Sequence, residues 1–284
     1  MGLLSGKVAI VTGGGNGLGA AYCELFAREG AAVVVNDLGV ARDGSGKDTR
    51  VAETIAAKIN ERGGRAVANC DDVSTVEGGR NILEAALGSF GRIDILVSNA
   101  GIIRDRTFSN ISEQDWDDVI RVHVKGAYCV TQPVWNEMRK SGRGGVIILT
   151  TSNSGLHGNF GQTNYGAAKA ALYGMTRVLA LEGRKYGIRV WGLSPGAHTR
   201  MTADSVHGFE VEPDPMDLPE RTAQGVLYMA SDLSGDQSGK TLQVWGRAVR
   251  ELKMMDAPGY FPDRPWSAQD IADHASDIFF PEEI

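Results

Sequence analysis

An uninterrupted apolar run, Val8 to Val11, breaks into Thr12-Gly13-Gly14-Gly15-Asn16-Gly17-Leu18-Gly19 and resumes as a helical stretch reaching Glu29. A short apolar run without polar alternation reads as a strand covered on both faces, the signature of a parallel sheet. The same rhythm continues along the chain. Strands are expected at 31–35, 65–69, 93–97, 145–150, 188–193 and 241–244, with helices over 49–62, 75–87, within 113–140, and over 163–186 and 219–231. Such alternation predicts one α/β domain with a doubly wound parallel sheet and helices on both faces. The economical division is a nucleotide-binding domain over 1–246, including a polar, acidic loop at about 197–218, and a C-terminal extension over 247–284. That extension is rich in Pro and aromatic residues, and Ser267 is placed to cap a short helix in it.

Glycines between a strand and a helix permit a tight turn and close approach of a pyrophosphate, whose charge the helix N-terminus favours. Many Gly-rich stretches are only turns; the strand–turn–helix setting is what points to a nucleotide. Gly13, Asn16, Gly17, Leu18 and Gly19 are the candidate contacts. Asp37 closes the second expected strand, 18 residues after Gly19. A carboxylate there accepts hydrogen bonds from ribose hydroxyls and repels a 2′-phosphate, and the turn itself carries no Lys or Arg, so NAD is expected rather than NADP. A turn-forming aspartate is the plain alternative. Asp72 and Val73 follow the third strand and are candidates for flanking the adenine.

Tyr165 and Lys169 lie four residues apart, and Ser152 lies 13 residues before Tyr165. On a helix that spacing sets phenol and ammonium on one face, one turn apart. A neighbouring cation favours tyrosinate, so a lowered Tyr165 pKa is expected, and a hydroxyl alongside holds a substrate oxygen. Taken together these groups suit the interconversion of an alcohol and a ketone. By itself the pair is more often a solvated helix face, and Ser154 competes with Ser152 for the hydroxyl role.

The net charge of −6 argues against nucleic acid or an anionic membrane as the main partner. The three cysteines lack metal-ligand spacing, so no metal is expected, and they read as reduced thiols of a cytoplasmic protein. No signal segment or membrane-length apolar run is visible. The expected partner is a small molecule.

Thr12-Gly-x-x-x-Gly-x-Gly19, Asn99-Ala100-Gly101, Ser152, Tyr165-x-x-x-Lys169 and Pro195-Gly196 stand in one order, and this order resembles the short-chain dehydrogenase/reductase family. The resemblance covers about Lys7 to Trp245 and implies a Rossmann-type sheet of about seven strands and a homotetramer or homodimer. It also implies cofactor contacts at Asn99, Ala100, Gly101, Pro195 and Gly196, and a Lys169 that binds the nicotinamide ribose beside Tyr165. A closer branch is similar at Asn36-Asp37-Leu38-Gly39 with a long following loop, at Asn99 to Arg106, Val122-His123, Gly158 to Gln162 and Arg200-Met201-Thr202. It is the (3R)-hydroxyacyl-CoA dehydrogenase unit of type 2 peroxisomal multifunctional enzymes, with bacterial relatives acting on acyl-CoA or steroid-side-chain substrates. The resemblance therefore implies an NAD-dependent enzyme for a 3-hydroxyacyl-CoA-type alcohol. A hydroxysteroid or other carbonyl oxidoreductase, and a catalytically silent NAD-binding regulator, are the alternatives. The wider family has Asn where this chain has His123, so His123 reads either as a buried helix histidine or as part of the proton relay. Arg104, Arg106 and Arg200 are candidates for local positive charge toward coenzyme A phosphates, with solvated arginines the commoner outcome.

Overall fold

The computed structural model describes residues 2–196 and 218–281. The loop expected over the sheet edge at 197–218, with Arg200-Met201-Thr202, lies outside the described residues except for Leu218. The chain divides into units spanning Met1–Leu252 and Lys253–Ile284.

In the first unit the strands are β1 Val8–Thr12, β2 Ala32–Asn36, β3 Arg65–Asn69, β4 Ile95–Ser98, β5 Gly145–Thr150, β6 Ile188–Gly196, β7 Thr241–Trp245 and β8 Ala248–Leu252. They form one sheet in the order β3-β2-β1-β4-β5-β6-β7-β8. Every pair from β3 to β7 is parallel. The chain order reverses direction between β1 and β4, and ligands of open α/β sheets bind at such a switch point, beyond the strand C-termini. The apolar runs explain the layering. In β1, Ala9 and Val11 face one core with Tyr22, Phe26, Trp191 and Val226. Val8 and Ile10 face the opposite core with Ile82, Val130, Met138 and Ile147. Period-2 geometry divides a continuous apolar strand between two helix layers.

The helices of this unit are α1 Gly17–Arg28, α2 Arg50–Glu61, α3 Val76–Phe90, α4 Glu113–Ile120, α5 Gly126–Ser141, α6 Thr163–Gly183 and α7 Pro219–Ala230. The sheet, with eight strands among the described residues, is close to the expected seven; Ala248–Leu252 adds an edge, pairing antiparallel with β7 after a two-residue loop opening on Gly246 at φ 54°. A two-residue loop with a positive φ is what a tight hairpin requires. The single long helix expected within 113–140 is two helices joined by a π-helical stretch, Arg121–Lys125.

In the second unit, Ser267 caps α8, Ala268–Asp273, through a reciprocal capping box with Asp270. A last short helix, α9, covers Ala275–Ile278. Among the described residues no helix is long and apolar enough to cross a membrane, and no cluster of metal-ligating side chains occurs.

Candidate active site

A cavity of about 300 Å³ opens at the switch point. Its lining gathers residues widely separated in sequence: Gly13, Asn16, Gly17, Leu18, Gly19, Asp37, Asp72, Val73, Asn99, Ala100, Gly101, His123, Tyr165, Lys169 and Pro195. Of the catalytic and cofactor candidates, Ser152 and Gly196 are not part of that lining. Gly196 backs onto Trp245, since a Cβ on it would lie 2.3 Å from the indole Cγ. Ser152 follows β5, and its hydroxyl lies near enough to the Tyr165 phenol to act on its pKa.

The glycine turn is fixed from three directions. A Cβ on Gly19 would lie 1.9 Å from the Gly13 carbonyl oxygen, so the turn and α1 touch backbone to backbone. Asn99, at the end of β4, donates from Nδ2 to the carbonyls of Thr12 at 3.0 Å and Gly13 at 3.3 Å. Thr12 Oγ1 in turn accepts the N–H groups of Asn99 and Ala100 at 2.9 and 3.1 Å. Sequence reasoning named Thr12 only as part of the turn motif; its hydroxyl joins β1 to the loop after β4. Asp37 accepts the N–H of Gly15 at 2.9 Å and of Gly39 at 2.8 Å, one on each carboxylate oxygen. Each oxygen keeps lone-pair capacity for a further donor. The long loop after β2 folds back against the segment after β4: Ile103 donates its N–H to the Arg42 carbonyl at 3.1 Å, and Gly44 sits on Ile102. It thereby brings Val40, Ala41 and Arg42 into the lining, which the glycine-turn reading did not anticipate.

At the other end, α6 presents Tyr165 and Lys169 to the same space. Lys169 is 2% exposed and donates from Nζ to the Thr150 carbonyl at 2.6 Å, with Nζ 5.4 Å from the Tyr165 ring centroid. Thr151 Oγ1 ties the Lys169 carbonyl to β5 at 2.7 Å. Without water around them, both groups favour their neutral forms. Burial pushes the Tyr165 phenol up to about 12; the neighbouring Ser152 hydroxyl opposes this and the Asp105 carboxylate adds to it. Burial pulls the Lys169 ammonium down to about 7. This departs from the expectation of a lowered Tyr165 pKa: desolvation of the buried phenol is the largest influence on it and raises it.

His123 is drawn into the site by the π-helical stretch, a deformation common at functional positions. Its ring lies edge-on to Tyr165 at 5.3 Å between centroids. Gly101 makes the room, for a Cβ there would lie 2.3 Å from His123 Cε1. Nε2 meets the Ile102 backbone, 2.9 Å from its carbonyl oxygen and 3.2 Å from its nitrogen, while Nδ1 is buried without a partner. Burial, and secondarily the Lys169 charge, lowers its pKa from 6.5 to about 3, so the imidazole is neutral at physiological pH. His123 is thus a buried histidine that also lines the cavity. A depressed pKa contributes stability that is complete above 6.5 and is lost as pH falls toward about 3. His123→Asn is therefore expected to flatten the acid side of the stability profile by about 1 kcal/mol per pH unit below 6.5. Denaturant titrations at several pH values measure it, and parallel profiles for the two proteins would refute it.

The arginines divide. Arg104 is paired with Asp115 and Asp118, each at 3.3 Å, so its charge is already engaged. Arg106 is exposed, and Arg200 lies outside the described residues. A further network missed by sequence reasoning braces the loop after β5. Asn153 Oδ1 accepts from Ser194 of β6 at 3.0 Å and from Gln243 of β7 at 2.6 Å, and Arg250 of β8 donates to Gln243.

Comparison with known proteins places this geometry among relatives. A family model described as short chain dehydrogenase matches residues 7–208. The chain is 43% identical over 253 residues to peroxisomal multifunctional enzyme type 2 of Mus musculus, covering 87% of this chain but 33% of that protein. It is 38% identical over 257 residues to a hydroxyacyl-CoA dehydrogenase of Mycobacterium tuberculosis, covering 87% of this chain and 79% of that one. The crystal structure of a short chain dehydrogenase from Mycobacterium avium superposes with a TM-score of 0.86 at 35% identity, covering 99% and 98% of the two chains.

Proposed function

Because this chain belongs to the short-chain dehydrogenase family, and is accordingly an oxidoreductase acting on CH–OH groups with a nicotinamide cofactor, we propose that it interconverts a 3-hydroxyacyl-CoA-type alcohol and its ketone with NAD. The observation that carries the reading is a cavity lined by Tyr165 and Lys169 as well as by the glycine turn and Asp37, with Ser152 beside Tyr165 just outside the lining. The substrate class is supported by the likeness to a hydroxyacyl-CoA dehydrogenase.

In this reading Gly13, Asn16, Gly17, Leu18 and Gly19 hold the pyrophosphate, Asp37 the adenosine ribose, and Asp72 with Val73 the adenine. Asn99, Ala100, Gly101, Pro195 and Gly196 border the nicotinamide half. When bound, NAD supplies the hydride acceptor, and its positive ring favours tyrosinate. Tyr165 takes the hydroxyl proton during oxidation and returns it during reduction. Ser152 holds the substrate oxygen. Lys169 acts as a proton source and sink behind Tyr165, its pKa near neutrality suiting it to that exchange. His123, neutral and edge-on to Tyr165, positions the relay without itself becoming an acid. Exposed Val178 and Leu181 on α6 support self-association as a homotetramer or homodimer.

The test is nicotinamide absorbance during reduction of acetoacetyl-CoA and of a longer 3-ketoacyl-CoA, with NADH against NADPH. Turnover with NADH is expected, and Asp37→Ala should narrow the NADH preference by about 10-fold or more, the size of one lost charge repulsion and ribose bond. Wild-type preference for NADPH would overturn the cofactor assignment and turn attention to Arg42, which lines the same cavity. Failure with both thioesters alongside turnover of a steroid or simple ketone would favour the broader carbonyl oxidoreductase.

A further inference from the structure

Ser154 competed with Ser152 in the sequence, and the fold gives it a different place. Ser154 Oγ donates to Gln162 Oε1 at 2.8 Å, and Gln162 Nε2 donates to Asp105 Oδ2 at 2.9 Å. Asn159 Nδ2 also donates to Gln162 Oε1, at 3.0 Å. Two donors on that oxygen fix the amide: turning it over would oppose nitrogen to nitrogen and set its oxygen against a carboxylate. Gln162 is 7% exposed, and the backbone bond from Arg106 N–H to the Gly161 carbonyl at 2.9 Å clamps the segments carrying Asp105 and Gln162 together.

The direction of the chain has a consequence at Ser152. The only hydroxyl hydrogen of Ser154 is committed to Gln162, so Ser154 meets Ser152 as an acceptor. The Ser152 Oγ to Ser154 Oγ distance is 3.4 Å, and Ser154 N–H donates back to Ser152 Oγ at 3.3 Å. An O–H···O bond is ordinarily about 2.7–2.8 Å, so this contact is weak and its hydrogen is easily surrendered to an oxygen at normal distance. A carboxylate at the far end makes the amide bond charge-assisted and polarises the Gln162 oxygen as an acceptor.

We propose that Asp105, Gln162 and Ser154 form a polarised positioning chain that aims the Ser152 hydroxyl and keeps its hydrogen exchangeable for a substrate oxygen. The three are positioning residues acting through Ser152, and the proposal rests on the reading of Ser152 as the holder of that oxygen.

The experiment compares steady-state kinetics across pH for the wild-type chain, Ser152→Ala, Gln162→Met, Gln162→Glu and the double variant Gln162→Glu with Asp105→Asn. The substrate is whichever ketone or thioester the wild-type chain turns over. Gln162→Met is expected to lower kcat by about 10-fold or more, as misplacement of a reacting group does, with the cofactor KM unchanged. Gln162→Glu sets a second carboxyl against Asp105, so it should work only where the pair shares a proton, adding a pH limb that the wild-type chain lacks. The double variant reverses the polarity, with the introduced amide donating to the introduced carboxylate, and should restore kcat and abolish that limb. A merely structural glutamine would give neither the limb nor its removal. If Gln162→Met does not fold, Ser154→Ala, which keeps its N–H, should show the same loss of kcat at unchanged cofactor KM. Wild-type kcat in Gln162→Met or Ser154→Ala, or no rescue by the double variant, overturns the chain while Ser152→Ala remains inactive. An active Ser152→Ala overturns the underlying reading of Ser152, a distinguishable result.

Discussion

Tyr165→Phe is expected to lower turnover by about 100-fold or more while leaving NADH binding intact. The substitution removes one oxygen. The edge-on contact with His123 at 5.3 Å and the approach of Lys169 Nζ to the ring at 5.4 Å both survive in phenylalanine. The pH dependence supplies a second readout. Oxidation needs tyrosinate, and burial pushes the phenol up to about 12, so the oxidation rate should rise with pH through and above neutrality. Reduction needs the phenol and should not share that rise. Stopped assays in both directions, with NADH titrated by fluorescence, check both parts. Unchanged turnover in the variant would remove Tyr165 from the proton transfer.

Gly19→Ala should cripple nucleotide binding and destabilise the fold together. Its Cβ would lie 1.9 Å from the Gly13 carbonyl oxygen and 2.7 Å from the carbon. Neither atom can move freely, because Gly13 and Thr12 are both held by Asn99 Nδ2. Overpacking of this kind costs about 1–3 kcal/mol, and NADH affinity should fall by about 10-fold or more as the turn opens. Gly88→Ala is the matching control. Gly88 lies in α3 with nothing within 4 Å of an added Cβ. That substitution should leave binding alone and stabilise by about 0.5–1 kcal/mol through the helix backbone. Thermal midpoints and NADH titrations of the pair distinguish a steric effect at the turn from a generic cost of losing glycine. Normal NADH affinity in Gly19→Ala would show that the turn is not the pyrophosphate site.

The alternation of strands and helices was legible because a buried parallel strand must be apolar throughout and its connecting helices need stops and caps. Val8–Val11, Gly30, Gly63 and Gly187 carry that information within a few residues of each element, and Ser267 carries its cap the same way. The glycine turn, Tyr165 and Lys169 were equally local, since one helical turn sets the last pair on one face. The hairpin to β8 had a local signal too, Gly246 in a two-residue loop, but its register depends on β7 being at hand to pair with it. What the tertiary structure alone decided lies in longer spans. Asp105 meets Gln162 across 57 residues and Asn153 meets Gln243 across 90, and no periodicity marks such a meeting. The π-helical stretch turns His123 inward because Gly101 leaves a space for its ring. Burial, finally, set the protonation of Tyr165 and Lys169 against the sequence expectation, because the solvent around a side chain is a property of the packed molecule and the spacing of two residues carries none of it.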